Sequence, residues 1–322
     1  MNTFLTVCTI RQLPQAFALG ESLQRHHPAD SFTIGLCDDA SRLPAGFQCP
    51  YPLLMLDELP LPDRDQLSQQ YTPAEFVAAC KPLFIKHLYQ NRVKSDWLIY
   101  LDPSVYLYQP LTDLSARYTK ATLLLTPHLL KQLVDKAFPD EKYVQNIGLY
   151  SSDFLGLRRC AETTRFLDWW GSRVPERAFV RPCEAMYTDQ IWLVLTPGLF
   201  EGVTIVKNPA WHVGIWNLHE RPVSENNPPV FLNFKGLADQ EGFFQAQTRV
   251  RLSAFPAVKK LLRAYQNRVQ QGEKNWLLQS VLPAYGQQPY KPPLRGWRKD
   301  AVETLRQTVR FIETVDVPRK MA

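Results

Sequence analysis

The segment DWLIYLDPSVYLYQPL, residues 96–111, decides the reading of this chain. Residues 97–101 form an unbroken apolar run that stops at Asp102; Pro103 and Ser104 then precede a second apolar run. A continuous apolar run of this length, rather than an alternating one, predicts a strand covered on both faces. A carboxylate at the end of such a strand is costly if it is buried and unpaired. Asp102 therefore either caps the following turn or serves a ligand, because ligands of parallel sheets bind beyond the carboxyl ends of the strands.

Working outward, TFLTVCTI (3–10) and FTIGLCDD (32–39) read as strands, with PQAFALGESLQRHHP between them as a helix and YPLLMLDEL after them as a further short strand. Residues 73–91 have helical character interrupted at Pro82, where a proline kinks or restarts a helix. ATLLLTPH (121–128) and FLGLRR (154–159) are further strands, AETTRFLDWWGSRV a helix, and DQIWLVLTPGLF a helix that turns at Pro-Gly. VTIVKNPAWHVGIWN and PPVFLNFKGL read as late, short strands. Strands alternating with helices over the first 200 residues predict an α/β fold, a mostly parallel sheet flanked by helices. Residues 282–298, rich in Pro, Gly and Gln, read as a linker; after them Val302, Leu305, Val309 and Ile312 lie at helical spacing. The expected division is a domain over 1–281 and a basic linker with an amphipathic C-terminal helix over 282–322.

Composition bounds the function. The 322 residues are 45% hydrophobic and 21% charged, ordinary for a globular protein, and the net charge of +6 is too low for a dedicated nucleic-acid binder. No apolar run reaches the about 18 residues of a membrane span. The N-terminus MNTFLTVCTIRQLP lacks an early basic region and a small-residue cleavage site and reads as a first strand. Six scattered cysteines with no CxxC pair fit reduced thiols in a cytoplasm.

Four segments occur in order: LIYLDPSVYLYQPL, YTDQIWL, WNLHER and VFLNFKGL. Together they resemble a bacterial branch of the nucleotide-sugar-dependent glycosyltransferases of the GT-A (Rossmann-like) fold, close to glycosyltransferase family 8, over roughly residues 3–270. The resemblance implies hexosyl transfer from a nucleotide sugar, UDP-linked, to a glycan or lipid-linked acceptor with retained anomeric configuration. It also implies a Mn²⁺ or Mg²⁺ ion that neutralises the departing diphosphate.

The chain departs from the branch at that ion. The second acid of the Asp-x-Asp motif is Ser104, the late metal-binding histidine is Asn233, and Lys235 stands two residues beyond; Asp102 alone remains as a metal ligand. Three readings follow: Lys235 supplies the positive charge in place of the metal, Asp102 and water hold a loosely bound Mg²⁺, or catalysis is lost. An exposed surface lysine is the structural alternative for Lys235. Ser151 stands at the asparagine of the branch's Asn-x-Gly motif and Asp153 at its glycine; Asn146 of QNIG is a nearby substitute.

By resemblance, Asp189 and Gln190 face the donor sugar as the catalytic pair, though either Thr188 or Asp189 could instead cap a helix. Lys81 contacts the donor or is a snorkelling helix lysine. Cys8 and Thr9 end the first strand at the nucleotide, and Asp38, or its neighbour Asp39, reaches the base or ribose. Ser104 and Ser151 complete the donor set. His128 ends a strand on the ligand side, facing the acceptor, and His219 of WNLHER reads as structural. The expected protein is an enzyme of the cytoplasm, with peripheral contact to the membrane's inner face through the basic C-terminal tail (Lys291, Arg295, Arg298, Lys299, Arg306, Arg310). The alternative is a non-catalytic nucleotide-sugar binding protein.

Overall fold

The apolar run that opened the reading is the centre of a seven-stranded sheet. In a computed structural model, which describes residues 2–61, 63–91, 95–237, 249, 251–273, 276–289 and 296–314, it forms β4 (Trp97–Leu101), every residue of it buried. Its side chains alternate between two cores: Leu98 and Tyr100 enter one, Trp97, Ile99 and Leu101 the other. That is why the run is continuous rather than alternating: neither face meets water.

The strands are β1 (Asn2–Cys8), β2 (Ser31–Leu36), β3 (Leu53–Met55), β4, β5 (Val105–Leu107), β6 (Leu123–Pro127), β7 (Tyr150–Arg158), β8 (Val180–Arg181), β9 (Met186–Tyr187), β10 (Val203–Ile205) and β11 (Phe231–Asn233). The large sheet has the order β10-β6-β7-β4-β1-β2-β3. β4, β1, β2 and β3 are mutually parallel, and β10 is parallel to β6. β7 runs antiparallel to both its neighbours. β5 and β11 form a separate antiparallel ribbon.

The helices are α1 (Leu13–His26), α2 (Arg64–Gln70), α3 (Pro73–Asn91), α4 (Leu114–Arg117), α5 (Glu141–Ile147), α6 (Ala161–Arg173), α7 (Thr196–Leu199), α8 (Pro256–Glu273) and α9 (Trp297–Thr314). Phe76 and Phe84 of α3 and Phe166 and Trp170 of α6 cover one face of the sheet. Leu19 and Leu23 of α1 and the β5–β11 ribbon cover the other. α8, not anticipated from the sequence, docks Val258, Leu262, Tyr265 and Val269 beside Ala18 of α1.

Three local readings change. α3 continues through Pro82 as a single helix of 19 residues; burial of most of one side of the helix outweighs the hydrogen bond that the proline cannot make. The stretch read as a helix over 189–200 is a 3₁₀ turn over Ile191–Leu195 followed by the single turn α7, whose first turn holds Pro197. Residues 282–288, read as linker, are bound to the domain. The N–H of Gly286 donates to Ser68 Oγ (3.1 Å), that of Gln287 to the Ser68 carbonyl (2.7 Å) and that of Gln288 to the Tyr71 carbonyl (3.0 Å). Tyr285 stacks on Phe76 at 5.2 Å between centroids.

The chain divides into two compact units, Met1–Gln288 and Pro289–Ala322. The second contains α9, which leaves Trp297, Leu305, Val309, Phe311 and Ile312 exposed. Lys291 and Arg295 lie outside the described residues. No helix among the described residues is long and apolar enough to cross a membrane.

Candidate active site

Because β1, β2 and β4 are parallel, their carboxyl ends share one edge, where Cys8, Cys37 and Asp102 follow or end the strands. The antiparallel β7 starts at that edge, so Ser151–Asp153 arrive beside Asp102; the Asp102 N–H donates to the Asp153 carbonyl at 2.9 Å. The β5–β11 ribbon brings the third contributor. Asn233 pairs with Val105, and the Phe234 N–H donates to the Ser104 carbonyl at 2.9 Å. Asp102, Asp153 and Lys235 thus meet from three separate parts of the chain.

Lys235 Nζ donates to Asp102 Oδ2 at 2.7 Å and to Asp153 Oδ1 at 2.6 Å. Two of its three N–H bonds are spent on these carboxylates, and the side chain is 28% exposed. The other oxygen of each carboxylate is held from behind. Asp102 Oδ1 accepts the Ser104 N–H (3.0 Å) and its hydroxyl; Asp153 Oδ2 accepts from Asn233 Nδ2 at 2.8 Å. Asn233 is fully buried and uses both ends of its amide, its Oδ1 accepting the Lys235 N–H (2.9 Å) and lying 2.9 Å from Ser104 Oγ, whose one proton is shared between it and Asp102 Oδ1. His212 stands behind it, with Nε2 3.4 Å from Asn233 Nδ2 and Nδ1 2.6 Å from Thr126 Oγ1. Burial holds His212 well below the usual imidazole range, so it is neutral.

Burial would lower the Lys235 ammonium pKa, but Asp102 and then Asp153 outweigh it and raise it above the usual range. Burial would likewise raise the Asp153 carboxyl; Lys235, then Lys81, outweigh it and hold it below the usual carboxylate range. Lys235 and Asp153 are therefore both ionised near neutrality.

A second ion pair lies alongside. Lys81, on α3 and 5% exposed, donates to Asp189 Oδ2 (2.8 Å), to Ser152 Oγ (3.1 Å) and to the Ser152 carbonyl (3.4 Å). Its ammonium lies 5.0 Å from the centre of the Tyr100 ring. The Asp189 carboxylate is engaged by this lysine and caps no helix, which removes the capping alternative; the 3₁₀ turn that follows has no side-chain cap. Gln190 donates from Nε2 to the Ile147 carbonyl (2.8 Å) and accepts the Ser152 N–H at 3.4 Å. Neither Lys81 nor Lys235 is a solvated surface lysine.

The remaining candidates are placed differently. Cys8 is buried, and burial with nearby Cys49, Asp102 and Asp38 raises its thiol well above the usual range. Thr9 shares the turn after β1 with Gln12, whose Oε1 accepts the Thr9 N–H at 3.1 Å. The Asp38 carboxylate accepts from the backbone N–H groups of Ile10 (3.0 Å), Asp39 (3.0 Å) and Ala284 (2.8 Å), so it clamps two chain segments to the end of β2. Asp39 caps the turn that follows, accepting the Ser41 N–H at 2.9 Å. Ser151 Oγ accepts the Asp153 N–H at 3.3 Å and acts on backbone. In WNLHER, Asn217 accepts the Gly214 N–H and Glu220 accepts those of Leu130 and Lys131, tying this segment to the end of β6. His128 stacks edge-on against Trp216 at 5.7 Å, and its Nδ1 is buried without a partner among the described residues.

Sequence reading missed Asp153 and His212. Asp153 carried a signal: an acid stands at the position of the branch's glycine in the same chain that puts a lysine near the metal position.

The divalent ion implied by the resemblance does not fit this donor set. Such an ion takes oxygens at roughly 2.0–2.6 Å, and the point shared by Asp102 Oδ2 and Asp153 Oδ1 is held by an ammonium. Ser104 Oγ and Asn233 Oδ1, at the positions of the other two ligands, face each other. Among the described residues no group of three or more His, Cys, Asp or Glu could hold a metal.

No family model matches the chain. It is 22% identical over 256 residues to the Bacillus subtilis protein YfnF, described as uncharacterized, covering 73% of this chain and 81% of that one. It is 20% identical over 182 residues to YfnD of the same organism, also described as uncharacterized, covering 56% and 57%. Among solved structures it is similar to the galactosyltransferase LgtC in complex with donor and acceptor sugar analogues (TM-score 0.46, 13% identity, 88% of this chain and 98% of that one). It is similar also to a glycosyltransferase involved in glycosylating the major capsid of PBCV-1 (TM-score 0.43, 10% identity, 84% and 98%), and to mouse xyloside xylosyltransferase 1 (TM-score 0.42, 13% identity, 72% and 97%).

Proposed function

We propose that this chain is a glycosyltransferase that moves a hexose from a nucleoside-diphosphate sugar, UDP-linked, to a hydroxyl of a glycan or lipid-linked acceptor. The observation that carries the reading is the pair of ion-paired lysines at one sheet edge, Lys81 buried and Lys235 half-buried, each set among carboxylates and amides suited to sugar hydroxyls. In the transfer, the acceptor oxygen forms a bond to the anomeric carbon as the carbon–oxygen bond to the diphosphate breaks. The bonding pair leaves with the diphosphate, and the acceptor proton passes to a phosphate oxygen. On a retaining course both events occur on one face of the sugar.

In this reading the Lys235 ammonium meets the developing phosphate charge, acting as a point charge in a partly desolvated site. Asp189 accepts from sugar hydroxyls while Lys81 holds it in place, and Gln190 lines the anomeric side. The protein works in the cytoplasm, and α9 rests on the anionic inner face of the membrane, where its exposed apolar residues enter and Arg298, Arg306 and Arg310 meet headgroups.

The test is release of free nucleotide from a panel of UDP-hexoses in EDTA, since many glycosyltransferases slowly transfer sugar to water. Slow hydrolysis, lost in Asp189→Asn and Lys81→Met, supports the reading. Tight nucleotide-sugar binding with no turnover, even with acceptor extracts, would make the chain a binding protein instead. No binding of any nucleotide sugar would overturn both.

A further inference from the structure

The Asp102–Asp153 pair under Lys235 is more ordered than a lysine needs. The two residues sit on neighbouring strands joined by the Asp102 N–H to the Asp153 carbonyl. Each carboxylate has one oxygen held from behind, by Ser104 and by Asn233 respectively, so that Asp102 Oδ2 and Asp153 Oδ1 face a common point. None of these restraints comes from the Lys235 side chain. Two fixed carboxylate oxygens facing one point are a partial cation site, and hard divalent ions complete such sites with water.

We infer that Lys235 is a built-in cation that bars divalent metal from this edge, and that removing its ammonium turns the Asp102–Asp153 pair into a Mn²⁺ or Mg²⁺ site. The inference deepens the proposed glycosyl-transfer reading, on which its biological sense rests, by making the reaction independent of metal at this edge. Its physical argument is one of occupancy and charge. With the ammonium in place the pair and its lysine carry a net single negative charge, and the point where an ion would sit is filled. Without it, two buried negative charges lie close together with no counter-charge between them, and a divalent ion is the partner that relieves their repulsion. Lys81, a second cation acting on Asp153, is engaged by Asp189 and Ser152.

The test measures binding of Mn²⁺ alone to the full-length chain, by the loss of the free-ion paramagnetic resonance signal, with no nucleotide present. Wild type should leave Mn²⁺ free. Lys235→Ala should bind one ion per chain roughly tenfold or more tightly than wild type, Mg²⁺ should compete for it, and adding Asp153→Asn should abolish it. Lys235→Gln, which keeps most of the side-chain volume, serves if the alanine variant does not fold; it should gain Mn²⁺ binding and a Mn²⁺-dependent rise in melting temperature that wild type lacks. The inference fails if wild type binds Mn²⁺ in a way that Asp102→Asn removes, or if a folded Lys235 variant binds no more than wild type. Because no donor is used, these outcomes are independent of whether the chain binds nucleotide sugars.

Discussion

Replacing Asp153 by asparagine tests the electrostatic core of the site. Asp153 is 6% exposed and accepts from two donors on opposite oxygens, Lys235 Nζ and Asn233 Nδ2. An asparagine offers one oxygen and one NH₂. If its oxygen faces Lys235, its NH₂ meets the amide NH₂ of Asn233; if it is flipped, its NH₂ meets an ammonium. Either way one buried donor faces another donor. Breaking a buried pair by removing one partner costs about 3–5 kcal/mol. Lys235 keeps Asp102 at 2.7 Å and is 28% exposed, which brings the expected loss to about 2–3 kcal/mol. Urea unfolding at neutral pH measures it directly.

The pH dependence gives a second check. The Asp153 carboxyl is held below its ordinary value of 3.8 by Lys235 and Lys81, against burial. A group depressed in the folded state contributes stability that is fully present above its unfolded pKa and is lost as pH falls through the lower folded value. The gap between wild type and Asp153→Asn should therefore be constant from neutrality down to about pH 4 and close below it. A loss under about 1 kcal/mol, or a gap that persists in strong acid, would refute the assignment of Asp153 as a charge partner of Lys235.

Three further outcomes follow from the structure. Burial pushes the His128 imidazole from 6.5 down to about 4, so this group should contribute a loss of about 3 kcal/mol as pH drops between those values, beside the loss from buried His212, also held well below 6.5; His128→Gln should reduce the slope by its share, and an unchanged slope on urea titration would refute it. Gly148 has φ of 111°, and a Cβ there would lie 3.1 Å from Gln190 Cγ and 3.3 Å from its carbonyl oxygen. Gly148→Ala should cost about 1–3 kcal/mol and lower donor turnover by more than it lowers donor binding. Truncation after Gln288 should leave the unfolding of the first unit unchanged and remove binding to anionic liposomes, whereas undiminished liposome binding would refute the membrane role of α9.

Local pattern along the chain encodes part of this architecture. The unbroken run 97–101 identified a central strand because burial on both faces leaves no polar position along it. The same run placed Asp102 at the ligand-bearing edge, since parallel strands end together. The resemblance to the glycosyltransferase branch, rather than local pattern, singled out Lys235 beside the position of a metal ligand. What these groups touch follows from the packing of distant segments. Asp153 meets Lys235 across 82 residues of chain, and Asn233 meets Ser104 across 129. Asp38, a donor-binding candidate from its strand end, has its carboxylate engaged by backbone donors, one of them 246 residues away at Ala284. Such contacts depend on the sheet order, on the antiparallel entry of β7 and on the ribbon that folds β11 against β5. A periodic pattern states which face of a strand is buried; it carries no information about which distant strand is its neighbour, and at this edge the neighbours set the charge.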